Sequence, residues 1–173
     1  GDGFFYTPAD EEQLIHRPRD VRDAAVPAAG SIAIHNLLLL DPFRLDDEFR
    51  EYAEQGFALL GPDMKEQPLT MASLQNAFDC YLHGPTEITA VGDSDWVGFS
   101  PAQVLPTDWL EVLSGVYTPD LLFTTPQYKA EAPPIWADKT AGESGLAAYV
   151  CRQFTCSPPV TTAKEVGRVL AAQ

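Results

Sequence analysis

Cys151 and Cys156 offer the clearest chemistry in the chain: two thiols, four residues apart, between the apolar run at 147–150 and the pair Pro158-Pro159. A dithiol of this kind can close to a disulfide and reopen by exchange. Fully extended, five residues span roughly 16–18 Å, whereas a disulfide needs Cα atoms about 5.5 Å apart. The spacing permits the bond if the loop turns, but does not demand it. Cys-x4-Cys is not the Cys-x2-Cys of redox enzymes, no Lys or His stands nearby to lower a thiol pKa, and only Arg152 is adjacent. The stretch therefore reads as strand, loop, helix with two reduced thiols, Cys151 packed at the strand end. A redox pair is the alternative.

Other residue sets are weaker. Cys80 and His83 have ligand-like spacing, but two ligands do not make a zinc site, and Cys80 beside aromatic residues reads as a buried thiol. His35, inside an apolar run, reads as a hydrogen-bonded core histidine, and His16 has no triad companion. The acid runs Asp10-Glu11-Glu12 and Asp46-Asp47-Glu48 contain the paired carboxylates a glycosidase needs. Both lie where helix N-termini favour negative charge, which explains them without catalysis. Gly92-Asp93 follows a strand but lacks the Gly-rich loop of a nucleotide site.

The elements that must position these groups fall into two sets. Thr7-Pro8-Ala9-Asp10 predicts a short helix through Ile15, Ala28 to Leu40 a buried helix, Asp46 to Leu60 an amphipathic helix closed by Gly61-Pro62, and Met71 to Leu82 another. Beyond Gly84-Pro85, strands are expected at Glu87 to Val91, Leu121 to Thr125 and Ala147 to Cys151, with a helix over Thr107 to Ser114. Strand, helix, strand favours a parallel crossover. Thr162 and Glu165 form a capping box for a last helix. The expected fold is mixed α and β: helical hairpins over 1–83, then a small three-stranded, mostly parallel α/β segment over 84–173.

A formal charge of −14 argues against nucleic acid and anionic lipid as partners. The longest apolar stretch, Ile32 to Leu40, is far short of the ~20 residues of a membrane span. Three cysteines make no disulfide framework and suit a reducing cytoplasm. The opening Gly1-Asp2-Gly3, without Met, suggests a piece of a longer protein.

The run Tyr149-Val150-Cys151, Cys156, Pro158-Pro159-Val160-Thr161 resembles the C-terminal signature of thioredoxin-domain-containing proteins of the YyaL and spermatogenesis-associated type. Gly3-Phe4-Phe5-Tyr6-Thr7, the stretch from Arg17-Pro18-Arg19 to Asp23-Ala24-Ala25-Val26-Pro27, and Ile88 to Asp93 match less specifically. The resemblance implies an upstream thioredoxin-like domain and a helical toroid like that of six-hairpin glycosidases and sugar epimerases, with residues 1–82 as its last hairpins. Those upstream domains would be the chain's partners, and apolar faces built to meet them would drive self-association. Where the family pattern has Asp and Ser-Gly-Asn-Ser, this chain has Tyr6 and Ala28-Ala29-Gly30-Ser31, leaving Asp23 and Ser31 as surviving cavity candidates. The expected function is that of a C-terminal portion without catalysis of its own or a cofactor. The alternatives are a carbohydrate-active fragment with Asp23 as its acid, and a redox accessory module using Cys151 and Cys156.

Overall fold

The computed structural model describes residues 3–7, 10, 17–92, 101–126, 133–153 and 155–172. The chain divides into two compact units, Gly1–Gly84 and Pro85–Gln173.

The first unit is helical, with α1 at Ala29–Leu40, α2 at Glu48–Glu66 and α3 at Ala72–His83. Each helix turns a stripe at helical spacing inward: Ile34 and Leu38 from α1, Ala53 and Leu60 from α2, Leu74, Ala77 and Cys80 from α3. Small residues let α1 and α2 approach closely. A Cβ on Gly56 would stand 2.6 Å from Ile34 Cδ1, so only glycine fits against that buried side chain. Phe57 and Phe78 meet edge to face with ring centroids 5.4 Å apart. Contrary to the sequence expectation, α2 does not end at Gly61-Pro62. Pro62 lies inside the helix and is exposed. The carbonyl that loses its proline partner belongs to the exposed Ala58, where water can replace the bond, and the continued turn packs Met64 against the core. The helix expected from Thr7 to Ile15, with His16 after it, falls largely outside the described residues.

The second unit is a four-stranded sheet with helices. Its strands are β1 at Thr86–Gly92, β2 at Leu121–Thr124, β3 at Leu146–Arg152 and β4 at Thr155–Cys156, in the order β2-β1-β3-β4. Helices α4 (Pro101–Val104) and α5 (Thr107–Gly115) lie between β1 and β2, and α6 (Ala163–Leu170) follows β4. β1 and β2 are parallel, as strand, helix, strand predicts. The expectation of three mostly parallel strands is otherwise corrected, because β3 runs antiparallel to β1 and the hairpin partner β4 is added. A parallel return usually requires a helical crossover, and the described part of the β2–β3 connection offers only the short turns Pro134–Trp136 and Gly142–Ser144.

Alternation along β1 sorts the two faces of the sheet. Ile88 and Ala90, with Ala148 and Val150 of β3, pack on Trp109 of α5 and Val166 and Leu170 of α6. Helix α6 begins with the expected Thr162 and Glu165 pair, Thr162 Oγ1 accepting from the Glu165 amide at 3.4 Å, but the Glu165 carboxylate reaches one residue further back than in a capping box, accepting from the Thr161 amide at 3.2 Å. Glu87 and Thr89 take the opposite face. Among the described residues, no helix is long and apolar enough to cross a membrane.

Candidate functional site

The loop expected after Cys151 is a β-hairpin. Cys151 pairs with Cys156 and Arg152 with Thr155, and the chain turns through Gln153 at a left-handed φ of 47°. The returning segment stays on β3: the Ser157 amide donates to the Val150 carbonyl at 2.8 Å, and Ala148 and Val160 exchange amide bonds at 2.8 and 2.9 Å. Cross-strand pairing, not loop length, thus sets the sulfur separation. Cys151 and Cys156 are disulfide-bonded, with Cα atoms 3.9 Å apart. This corrects the expectation of two reduced thiols, which assumed an open loop. The two residues are unequal, since Cys151 is buried and Cys156 exposed.

Directly across β3 from Cys151 stands Glu87 of β1. Opposed residues on antiparallel strands project to the same face, with Cβ atoms about 4.5–5.5 Å apart. The same register sets Thr89 opposite Tyr149. The segment after Pro133 crosses this face. The Ile135 carbonyl accepts from Thr89 Oγ1 at 3.4 Å and from Lys139 Nζ, while Tyr149 Oη donates to the Thr140 carbonyl at 3.0 Å and accepts from its amide at 3.1 Å. Ile135 is buried, and Glu87 is only 8% exposed. Burial pushes the Glu87 carboxyl above its ordinary value, and the Lys139 ammonium draws it back only in part. A protonatable acid therefore shares a covered sheet face with a disulfide. Sequence reading placed Glu87 at the start of a strand and gave it no role. The available signal was an acid in a run otherwise made of Thr, Ile, Ala and Val.

The other candidates are occupied structurally. Asp23 Oδ1 accepts from the Ala28 amide and Oδ2 from the Ser73 amide, both at 2.8 Å, tying together the starts of α1 and α3. Its own amide donates to the Thr70 carbonyl at 2.8 Å. Burial would raise the Asp23 carboxyl, but the Ser73 and Ala28 amides, aided by the Ser73 hydroxyl and the Ala72 amide, outweigh it and hold the pKa below the usual aspartate value. Ser31 is fully buried in the first turn of α1, and its hydroxyl has no hydrogen-bond partner among the described residues. Asp23 and Ser31 thus lie in one unit without a hydrogen bond between them. Cys80 is buried in the helical core, within 4.8 Å of a His35 ring nitrogen. His83, exposed at the end of α3, lies 3.1 Å from an Asp79 carboxylate oxygen. Asp46 and Glu48 pair with Arg44 at 2.6 and 3.0 Å at the start of α2. The Arg44 hydrogen bond holds the Asp46 carboxyl low. Glu11, Glu12 and Asp93 lie outside the described residues.

A mixed α and β fold with a disulfide hairpin is the class of protein that the geometry defines. The chain is 29% identical over 170 residues to the uncharacterized protein B0495.5 of Caenorhabditis elegans, aligning 96% of its own length with 22% of that protein. It is 24% identical over 177 residues to spermatogenesis-associated protein 20 of Homo sapiens, with 98% and 22% of the two chains aligned. The chain thus spans about a fifth of the length of the curated relatives it matches. Similarity over nearly its whole length supports a relation to the spermatogenesis-associated proteins. No family model and no solved structure matches it.

Proposed function

We propose that this chain is the C-terminal portion of a longer thioredoxin-domain protein and acts there as a redox accessory module, exchanging the Cys151–Cys156 disulfide with a dithiol. The carrying observation is the bonded pair with one cysteine residue exposed and the other buried. A partner thiolate attacks Cys156 Sγ, forming a mixed disulfide and expelling the Cys151 thiolate. The partner's second thiol then attacks its own bridged sulfur and releases Cys156. Two electrons pass to the chain, and the partner leaves as a disulfide. On this reading the helical unit is the end of a toroid, and the upstream domains of the same polypeptide are the partners. The place of action is the cytoplasm, where dithiols are abundant.

Two observations weigh against the carbohydrate reading. Asp23 already accepts two backbone amides, and Ser31 is closed off from solvent. A trapping experiment tests the proposal: the oxidised chain is mixed with a thioredoxin domain lacking its resolving cysteine. The expected product is a mixed disulfide on Cys156, located by peptide mass spectrometry. An intact Cys151–Cys156 bond with no adduct refutes the exchange, and an adduct on Cys80 alone refutes the assigned site.

A further inference from the structure

We propose that Glu87 is the proton donor and acceptor for the Cys151 sulfur during opening and closing of the disulfide, an inference that rests on reading Cys151–Cys156 as exchangeable. Three features of the sheet support it. Glu87 and Cys151 are register partners on adjacent antiparallel strands and project to one face. That face is covered, Glu87 being 8% and Cys151 1% exposed. The packing of the sheet does not require an acid there, since the residue beside Glu87 on β2 is Leu122. A buried carboxyl costs stability unless it is paired or protonated.

The exchange chemistry supplies a use for that acid. Attack on the exposed Cys156 leaves a thiolate on Cys151, at a position withdrawn from water. A thiolate beside an ionised Glu87 would put two anions on one covered face, which is unfavourable at low dielectric. With Glu87 protonated, its proton passes to the sulfur, so that carboxyl plus thiolate becomes carboxylate plus thiol and the net charge does not change. On closure the carboxylate takes that proton back, and the Cys151 thiolate attacks the mixed disulfide at Cys156. The raised affinity of Glu87 for its proton keeps the acid available at higher pH than an ordinary glutamate would. Two further titratable groups among the described residues sit on this face: Lys139, from the covering segment, whose ammonium draws the Glu87 carboxyl down in part, and Tyr149 of β3. Tyr149 is bonded to Thr140 through its hydroxyl, and Lys139 donates to the Ile135 carbonyl. Neither is set opposite Cys151.

The test is the rate of disulfide reduction by dithiothreitol across pH, divided at each pH by the concentration of dithiothreitol thiolate. In the wild-type chain this specific rate should fall as pH rises through the Glu87 titration, by on the order of 10²-fold for a well-placed acid. In Glu87→Gln it should be flat. A wild-type profile as flat as that of Glu87→Gln overturns the role of Glu87 while leaving the exchange reading intact. A bond that dithiothreitol does not open overturns the exchange reading itself. If Glu87→Gln does not fold, carboxyl-carbon NMR of the wild-type chain decides. In the reduced chain the Glu87 carboxyl signal should show a second inflection where the Cys151 thiol ionises, absent from the oxidised chain, because coupled groups share their titration steps, and a signal that does not sense the thiol refutes the proposal.

Discussion

Replacing Asp23 with alanine separates a structural tie from a cavity acid. The carboxylate accepts the Ala28 and Ser73 amides, each at 2.8 Å, at the entrances to α1 and α3. Losing one N-cap acceptor costs about 0.5–2 kcal/mol, and hydrogen bonds to a charged group contribute about 1.5–3 kcal/mol. Two amides lose their acceptor together, and Ala28 is only 1% exposed, so water replaces that bond poorly. The expected cost at neutral pH is roughly 3 kcal/mol. With a urea m-value of about 1–3 kcal/mol/M, the midpoint should fall by about 1–3 M. Asp23→Asn keeps one carbonyl oxygen and should lose about half as much. The pH dependence follows from the lowered carboxyl. A depressed folded pKa gives stability that is present above the unfolded aspartate value and is lost as pH falls through the folded one. The gap between wild type and Asp23→Ala should therefore narrow only in acid, below the ordinary aspartate range. Urea denaturation followed by far-UV circular dichroism at neutral and acid pH measures both quantities. A neutral-pH cost below about 0.5 kcal/mol, the size of an ordinary surface substitution, would refute the argument. So would a gap independent of pH.

Three further outcomes are expected. Gly56→Ala sets a methyl 2.6 Å from Ile34 Cδ1 and 2.7 Å from Cγ1; overpacking should cost about 1–3 kcal/mol, offset in part by alanine's helix propensity, and an increase in thermal stability would contradict the α1–α2 packing. Thr162→Ala removes the side-chain cap of α6 and should cost about 1 kcal/mol, read from the urea midpoint, with no change expected in the accessibility of Cys156 to thiols. Leu45 and Leu69, 95% and 96% exposed in the helical unit, should drive concentration-dependent self-association of the chain; sedimentation of an unchanging monomer at high concentration would count against this.

Much of the fold was legible because its signals were local. The stripe on α2 and the Thr162 and Glu165 pair each specify an element through neighbours a few residues apart. The same holds for the strand expected at Glu87 to Val91, whose Ile and Val residues favour extended backbone. What escaped depended on pairing between distant segments. The two-residue turn at Gln153 lacks the Asn-Gly or Asp-Gly that normally announces a hairpin, and Gln153 nevertheless takes a positive φ. Strand β4 therefore read as loop, and the disulfide that its pairing brings about went with it. The direction of β3 is likewise a long-range property, set against β1 across more than fifty residues of chain. Pro62 misled for the opposite reason, as a local breaker tolerated because it faces solvent. The role of Asp23 in joining two helix starts became visible only with Ser73 beside it, and Glu87 became a candidate only when the register set it opposite Cys151.

The central claim is that Cys151 and Cys156 form a bond that opens and closes in service. The most direct measurement is a redox titration of the chain in glutathione and dithiothreitol buffers, with acid quenching, alkylation and peptide mass spectrometry to assign each sulfur. The account predicts a two-electron transition confined to Cys151 and Cys156, with a midpoint between about −300 and −180 mV, the span of cellular thiol poise. A bond still closed below about −300 mV would mark a structural staple, and two thiols still open at about −180 mV would mean that the hairpin does not hold a disulfide. Either result would contradict the account.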